Sequence, residues 1–184
     1  VATHPTESPI RWGDTRLAPF SSAMLERVAS WAADPHDAFL VAPQTPPPIT
    51  ADSVRAWVAA STHPYLLLRN GAAVAYGELN LLREQTRRWW LGHLLVDPAL
   101  RGRRLGRILV QHLLRVAFRE HAASAVTLVV FPGNETAIKS YQAAGMTVEG
   151  FEFHYFTPYQ QRSRMLRMVA YARTGWPRPR SPNR

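Results

Sequence analysis

The sequence predicts an α/β domain built on one mixed sheet, and three observations carry that expectation. Trp89–Val96 (WWLGHLLV) and Ala125–Phe131 (AVTLVVF) are apolar nearly throughout, the pattern of strands covered on both faces. Asn70-Gly71, the dipeptide that best supports a tight hairpin turn, separates two further apolar runs. The second half alternates strand, helix, strand, helix, strand. That order requires a crossover, and so parallel pairing beside antiparallel hairpins.

Ile10–Leu17 reads as the first strand. From Phe20, the residues Phe20, Met24, Leu25, Val28, Trp31 and Ala32 recur at helical spacing behind a Ser21 or Ser22 start. Asp34–Ile49 contains TPPPIT, and its prolines predict a long loop. Thr50 or Asp52 can cap a second short helix with Val54, Trp57 and Val58 on one side. Tyr65–Arg69 and Ala73–Leu82 make the hairpin, and Trp89–Val96 the central strand. A helix follows from about Leu105 to His121, with Leu105, Ile108, Leu109, Leu113, Val116 and Ala117 in one stripe. After Ala125–Phe131, PGN leads into a helix of about Glu135–Ala144 closed by Gly145. Met146–Phe156 and Arg164–Ala172 read as a final antiparallel pair. No internal repeat or second domain is visible. Residues 1–172 read as a single domain, and 173–184 (RTGWPRPRSPNR begins at Arg173) as a basic, Pro/Arg-rich, loose tail.

A chain of 184 residues is long enough to bury roughly 70% of its unfolded surface. Its 46% hydrophobic and 19% charged content is that of a soluble globular protein. There is no cysteine, which excludes disulfides, thiolate metal sites and a cysteine nucleophile and is compatible with the cytoplasm. No apolar run approaches the ~18 to 20 residues that span a bilayer, and VATHPTESP does not read as a signal peptide. The valine start is compatible with a processed or trimmed chain. The net charge is +9, yet Lys139 is the only lysine. That skew, with abundant alanine, reads as GC-rich codon usage rather than selection for a polyanion surface.

Residues 101–107, RGRRLGR, pack four arginines around two glycines immediately before a helix. A loop leaving a buried strand and entering a helix points unpaired backbone N–H groups at one spot, where the helix dipole adds about half a positive charge. Such a corner suits a pyrophosphate. Neither a Walker loop nor a three-glycine Rossmann loop is present. On this segment alone, a basic surface turn explains the residues equally well.

Two motifs decide between these readings. Val96-Asp97-Pro98 ends the central strand and is followed by Arg101-Gly102-Arg103-Arg104-Leu105-Gly106. Asn134, Ala137, Tyr141, Gly145 and Met146 form the second, preceded by the strand LVVFPG. In these residues, and over about Ala73–Phe156, the sequence resembles the GNAT superfamily of acyl-CoA-dependent N-acetyltransferases. The resemblance implies a GNAT-like fold, with about six to seven strands splayed between the fourth and fifth and about four flanking helices. It implies acetyl-CoA as co-substrate and an amine as acceptor. Main-chain groups of Leu94, Leu95 and Val96 would meet the pantetheine arm. Backbone N–H groups around Gly102, Arg103, Arg104, Leu105, Gly106 and Arg107, with Arg101 beside them, would hold the diphosphate. Asn134 would bond the pantetheine region, and Tyr141 would sit near the thioester sulfur. Arg104 stands where the pattern has its first glycine. A positive φ there would strain the arginine by ~1 kcal/mol or more; since the helix begins there, a helical φ is the favoured reading, the arginine merely adding charge.

Acetyl transfer needs a proton removed from the amine and one supplied to the departing sulfur. An amine of pKa ~10.4 is neutral in only about one molecule in a thousand at pH 7, so a base helps. Tyr141, protonated at neutral pH, can serve as general acid; its plainer reading is a core tyrosine. Asn134 also reads as the N-cap of its helix. Glu78, on the strand beside the central one, is the first choice for general base, with Glu152 and His154 behind it. Strand alternation sets His93 opposite Trp90, Gly92 and Leu94, so simple packing is expected of it. The seven histidines show no metal-ligand spacing. In the family the first two helices and late-strand loops usually shape the acceptor entrance, here Trp31–Ser61 and about His154–Arg162. Trp57, Trp89, Trp90, Tyr155 and Tyr159 are candidates to line it.

Two other readings compete. A non-catalytic acyl-CoA-binding relative would keep the corner and lose the chemistry. A nucleic-acid-binding protein would spread its arginines along one face, whereas these concentrate at one helix start and in the tail. No membrane partner is expected; a homodimer is compatible with the sequence, which does not fix the assembly.

Overall fold

A computed structural model describes residues 14–82 and 87–172; the proposed tail 173–184 and the start of the proposed first strand lie outside them. Among the described residues seven strands form one mixed sheet, ordered β1-β2-β3-β4-β5-β7-β6. The strands are β1 (Thr15–Pro19), β2 (His63–Arg69), β3 (Ala72–Leu81), β4 (Arg88–Val96), β5 (Ala125–Val130), β6 (Thr147–Phe156) and β7 (Gln161–Tyr171). Between β1 and β2 run α1 (Leu25–Ser30), α2 (Pro35–Val41) and α3 (Ala51–Ala60). Helix α4 (Leu105–Arg119) connects β4 to β5, and α5 (Glu135–Ala143) connects β5 to β6.

The hairpin forms as the dipeptide dictates. Asn70 and Gly71 take φ of +49° and +81°, the paired left-handed conformation of a two-residue turn, and they set β2 antiparallel to β3. β6 and β7 are likewise antiparallel. Helix α4 buries Leu105, Leu109, Leu113 and Ala117, together with Val110, Leu114 and Phe118, against one face of the sheet. The other face is covered by α1–α3 through Val28, Trp31, Ala38, Val54 and Trp57, packed on Leu66, Tyr76 and Leu95. Among the described residues, no helix is long and apolar enough to cross a membrane.

β4 and β5 are parallel and registered only at Arg88–Trp90 against Ala125–Thr127. Beyond Trp90 the two strands diverge, so the edge of β4 that faces β5 carries no ladder from Leu91 onward. This is the splay expected between the fourth and fifth strands. β4 is consequently not covered on both faces along its length: Trp89, Leu91 and Leu95 are buried, while the residues between them are half-buried.

The proline-rich stretch 34–49 departs from expectation. Its prolines predict a loop, yet its first half is α2. Proline at the first helical position loses no hydrogen bond and is preset in φ, and here Pro35 follows Asp34, whose carboxylate accepts from the His36 and Asp37 amides at 2.9 and 3.1 Å. Among the described residues, five helices therefore flank the sheet, in line with the about four expected. Thr50 caps α3 in a reciprocal capping box with Ser53.

Two backbone positions also correct the sequence reading. Arg104 is left-handed, with φ +63° and ψ 13°, so the arginine occupies a conformation that favours glycine instead of a helical one. In the β3–β4 ladder, Tyr76 pairs with Leu95 and Glu78 with Gly92. Gly77 thus faces both His93 and Leu94, a bulge at which His93 takes φ +41°. The bulge breaks the alternation that assigned His93 to packing.

Candidate active site

A cavity of about 1010 Å³ opens where β4 and β5 diverge. The start of α4 supplies Arg101, Gly102, Arg104, Leu105 and Gly106 to its wall, and the free edge of β4 supplies Leu94, Leu95 and Val96. Asn134, Ala137 and Tyr141 border it from α5. Arg103 and Arg107 lie outside the wall.

The backbone at the α4 corner is rich in unsatisfied donors. The Ile108 amide makes the first intrahelical bond, to the Arg104 carbonyl at 3.1 Å. The amides of residues 102–107 have no acceptor among the described residues, and no side chain caps the helix. These are the orphan donors that every helix start leaves, gathered beside a left-handed residue and open to the cavity. Arg101 is partly committed: its Nη1 lies 2.9 Å from Asp37 Oδ2, tying α2 to the corner. The corner can therefore hold an anion through main-chain groups.

Across the splay, the Asn134 Oδ1 accepts from the Ala137 amide at 3.2 Å, so Asn134 does cap α5. The Tyr141 hydroxyl has no hydrogen bond to a described residue, and burial pushes its pKa up to about 12. It stays protonated at neutral pH and can donate.

The opposite end of the cavity is polar and tightly organised. Glu78 is 3% exposed. Its Oε1 accepts from the Tyr76 hydroxyl at 2.6 Å and lies 2.8 Å from His93 Nδ1, and its Oε2 accepts from Asn80 Nδ2 at 3.3 Å. Burial, then the Glu78 charge, raise the Tyr76 pKa and keep that hydroxyl a donor. Asn80 is fixed in turn, its Oδ1 accepting from the Ser61 hydroxyl and the Thr62 amide. Gly92 leaves room for this group: a Cβ there would stand 2.9 Å from Glu78 Oε2 and 3.2 Å from Asn80 Nδ2, so both side-chain ends would have to shift. The His93 ring stacks on Trp57, centroids 4.2 Å apart and planes 10° from parallel. Trp57 is itself anchored by its indole N–H to Thr45 Oγ1 at 2.9 Å.

Other sequence candidates divide. Trp57 and Trp90 border the cavity, but Trp89 turns to the other side of the sheet, 4.5 Å from the His121 ring. Tyr155 is 56% exposed and offers only its carbonyl, to Gln44 Nε2 at 2.9 Å. Tyr159 packs on Phe39 at 4.8 Å. His154 borders the cavity, with Nε2 2.6 Å from Glu152 Oε1; Glu152 also pairs with Arg167 at 3.1 Å and lies off the wall. Among the described residues no group of three or more His, Asp or Glu side chains is placed to hold a metal ion.

Sequence reasoning missed two contributions. α2 brings His36, Asp37 and Leu40 to the cavity, and the Asp34-Pro35 pair was the available signal for that helix. His93 reaches Glu78 only through the bulge, which is a property of two strands in register and leaves no local mark.

Residues 11–146 match the model of the acetyltransferase (GNAT) family. No curated protein matches the chain in sequence. In fold, the chain is similar to the acetyltransferase (GNAT family) from Bacillus anthracis, with a TM-score of 0.73, 15% identity and coverage of 88% of this chain and 97% of that one. It is similar to spermidine N-acetyltransferase from Vibrio cholerae in complex with CoA and spermine, with a TM-score of 0.72, 15% identity and coverage of 86% and 95%. It also resembles aminoglycoside acetyltransferase AAC(6')-Ib in complex with coenzyme A and kanamycin, with a TM-score of 0.65, 20% identity and coverage of 85% and 94%.

Proposed function

The chain belongs to the acetyltransferase (GNAT) family, and from that premise we propose that it transfers an acetyl group from acetyl-CoA to a primary amine of a small molecule or protein. One observation carries the reading. The unpaired amides of Gly102, Arg104, Leu105 and Gly106, the free edge of β4 and the Tyr141 hydroxyl share one cavity with the Glu78–His93 pair. The two fold relatives named with both CoA and an amine, spermine or kanamycin, support the same substrate classes. A cytoplasmic location fits a reaction that consumes acetyl-CoA.

Each part of the cavity then has work to do. The amides of Gly102 to Arg107 hold the diphosphate, and Arg101, Arg103, Arg104 and Arg107 raise its local concentration. Main-chain groups of Leu94, Leu95 and Val96 on the unladdered edge of β4 pair with the pantetheine arm as an added strand would. The Asn134 side chain bonds the same arm while capping α5. Acetyl-CoA supplies an activated acyl group on a thiol leaving group. Tyr141 donates its proton to the departing sulfur, and the Glu78–His93 pair forms the end of the cavity toward which the amine proton leaves. Trp90 presents a flat apolar wall to the acceptor, and Trp57 backs the His93 ring.

The test is free-thiol release from acetyl-CoA with a panel of polyamines, aminoglycosides and peptide amines, beside calorimetric binding of acetyl-CoA. Turnover with at least one amine is expected. Tight acetyl-CoA binding with no turnover on any amine would make the chain a non-catalytic relative, and no binding would sink the reading altogether.

A further inference from the structure

Glu78 is poorly placed to touch a substrate. Its side chain is 4% exposed, Oε1 is shared between the Tyr76 hydroxyl and His93 Nδ1, and Oε2 is held by Asn80 above the Gly92 backbone. A carboxylate whose oxygens already accept from three donors has little acceptor capacity left for an incoming amine. His93 is placed differently. Its side chain is 26% exposed, it borders the cavity, and its Nε2 has no hydrogen bond among the described residues. The bulge opposite Gly77 and the left-handed φ of +41° turn the ring into this position, and Trp57 holds its plane. Strain in a non-glycine residue is retained where the surrounding structure over-determines it, and such residues cluster at working sites.

We propose that His93 is the catalytic base, its Nε2 taking the amine proton, and that Glu78 is a positioning residue acting through His93 Nδ1. The proposal rests on the acetyl-transfer reading above. An ionised Glu78 accepts from Nδ1–H and fixes the tautomer whose Nε2 is a free acceptor. His93 Nε2 takes one proton from the ammonium and passes it to solvent. The freed nitrogen lone pair forms the C–N bond as the C–S bond breaks. Tyr141 protonates the sulfur, and the second proton lost by nitrogen restores the tyrosine. The products are an acetamide, the free thiol of CoA and one proton.

His93→Gly is the informative variant, since glycine adopts the left-handed backbone without strain and leaves room for a small base. With an amine that wild type acetylates, kcat should fall by about 100-fold or more while acetyl-CoA affinity is unchanged. Added imidazole should restore at least about tenfold of the loss, a rescue that a packing role would not give. Glu78→Gln keeps an acceptor for Nδ1–H but removes the charge; kcat should fall with KM for both substrates unchanged. Two results overturn the proposal: near-wild-type kcat in His93→Gly, or a loss that imidazole does not touch. Abolished turnover in Glu78→Gln beside an active His93→Gly would make Glu78 the base itself. Wild type that binds acetyl-CoA but acetylates no amine would sink the parent reading first, and this one with it.

Discussion

Asp37 Oδ2 and Arg101 Nη1 lie 2.9 Å apart, joining helix α2 to the loop that precedes α4. The pair lies on the cavity wall, since both α2 and the loop border it. Both side chains are partly exposed, at 24% and 46%, so the contact adds no more than about 1 kcal/mol to stability. Its larger effect is electrostatic. Asp37 offsets one of the four arginines that surround the corner.

Asp37→Asn should release that arginine. Acetyl-CoA affinity, measured by calorimetry at low ionic strength, is expected to rise a few-fold, and the gain should shrink at 0.5 M salt as the Debye length shortens. Unfolding midpoints should stay within about 1 kcal/mol of wild type. A loss of affinity that is independent of salt would instead assign Asp37 to the geometry of α2.

Arg104→Gly separates the two things Arg104 does. At φ +63° a non-glycine residue carries about 1–2 kcal/mol of backbone strain, part of which glycine returns as unfolded-chain entropy. The variant should be more stable by a few tenths to about 1 kcal/mol in urea unfolding. It should also bind acetyl-CoA somewhat more weakly, having lost a cation. A destabilised variant would mean that the guanidinium holds the corner together.

How much of this could be read from residues alone depended on the scale of the signal. Periodicity and turn chemistry located the strands, the hairpin and the long helix, because those depend on neighbours within a few positions. Asp34–Val41 was hidden by prolines whose positional meaning, first in a helix rather than inside one, outweighs their number. Trp89 and Trp90 were both offered as cavity residues, although alternation requires one of two adjacent strand residues to turn away; Trp89 does. The partnership of His93 with Glu78 needed the offset between two pairings, Tyr76 with Leu95 and Glu78 with Gly92. No window on a single strand contains it. The left-handed turn at Arg104 was signalled by the glycine of the motif position, but the arginine present and the nearby helix start pointed to a helical φ.

Gly106→Asp tests the anion corner with little structural risk. A Cβ at Gly106 would meet only Val96 Cγ2, at 3.8 Å, an ordinary contact. An acid in the first turn of α4 favours the helix by about 0.3–1 kcal/mol, and replacing an interior glycine adds a similar sum. The thermal midpoint should therefore hold or rise. The carboxylate would occupy the field of the same amides that hold a diphosphate, so acetyl-CoA affinity should fall by about 100-fold or more, which is ~3 kcal/mol. Unchanged affinity would remove the corner from the binding site.

His112 gives the fold a pH dependence with a definite sign. It lies on α4, 5% exposed, with Nε2 3.2 Å from Thr15 Oγ1 of β1. Burial first, then the charge of Arg115, lower its pKa from 6.5 to about 4. Between those values the unfolded chain binds a proton that the folded chain refuses, so stability is complete above about pH 6.5 and falls as pH drops toward 4. The full displacement corresponds to about 3 kcal/mol. His121, lowered by burial and by His63, contributes in the same direction. Urea midpoints between pH 4.5 and 7 should show this slope in wild type. His112→Gln, which keeps a hydrogen-bonding group beside Thr15 but cannot titrate, should flatten it by about one proton and leave the His121 share. A slope identical to wild type would mean that His112 takes up its proton inside the folded protein, and that the β1–α4 contact tolerates the charge.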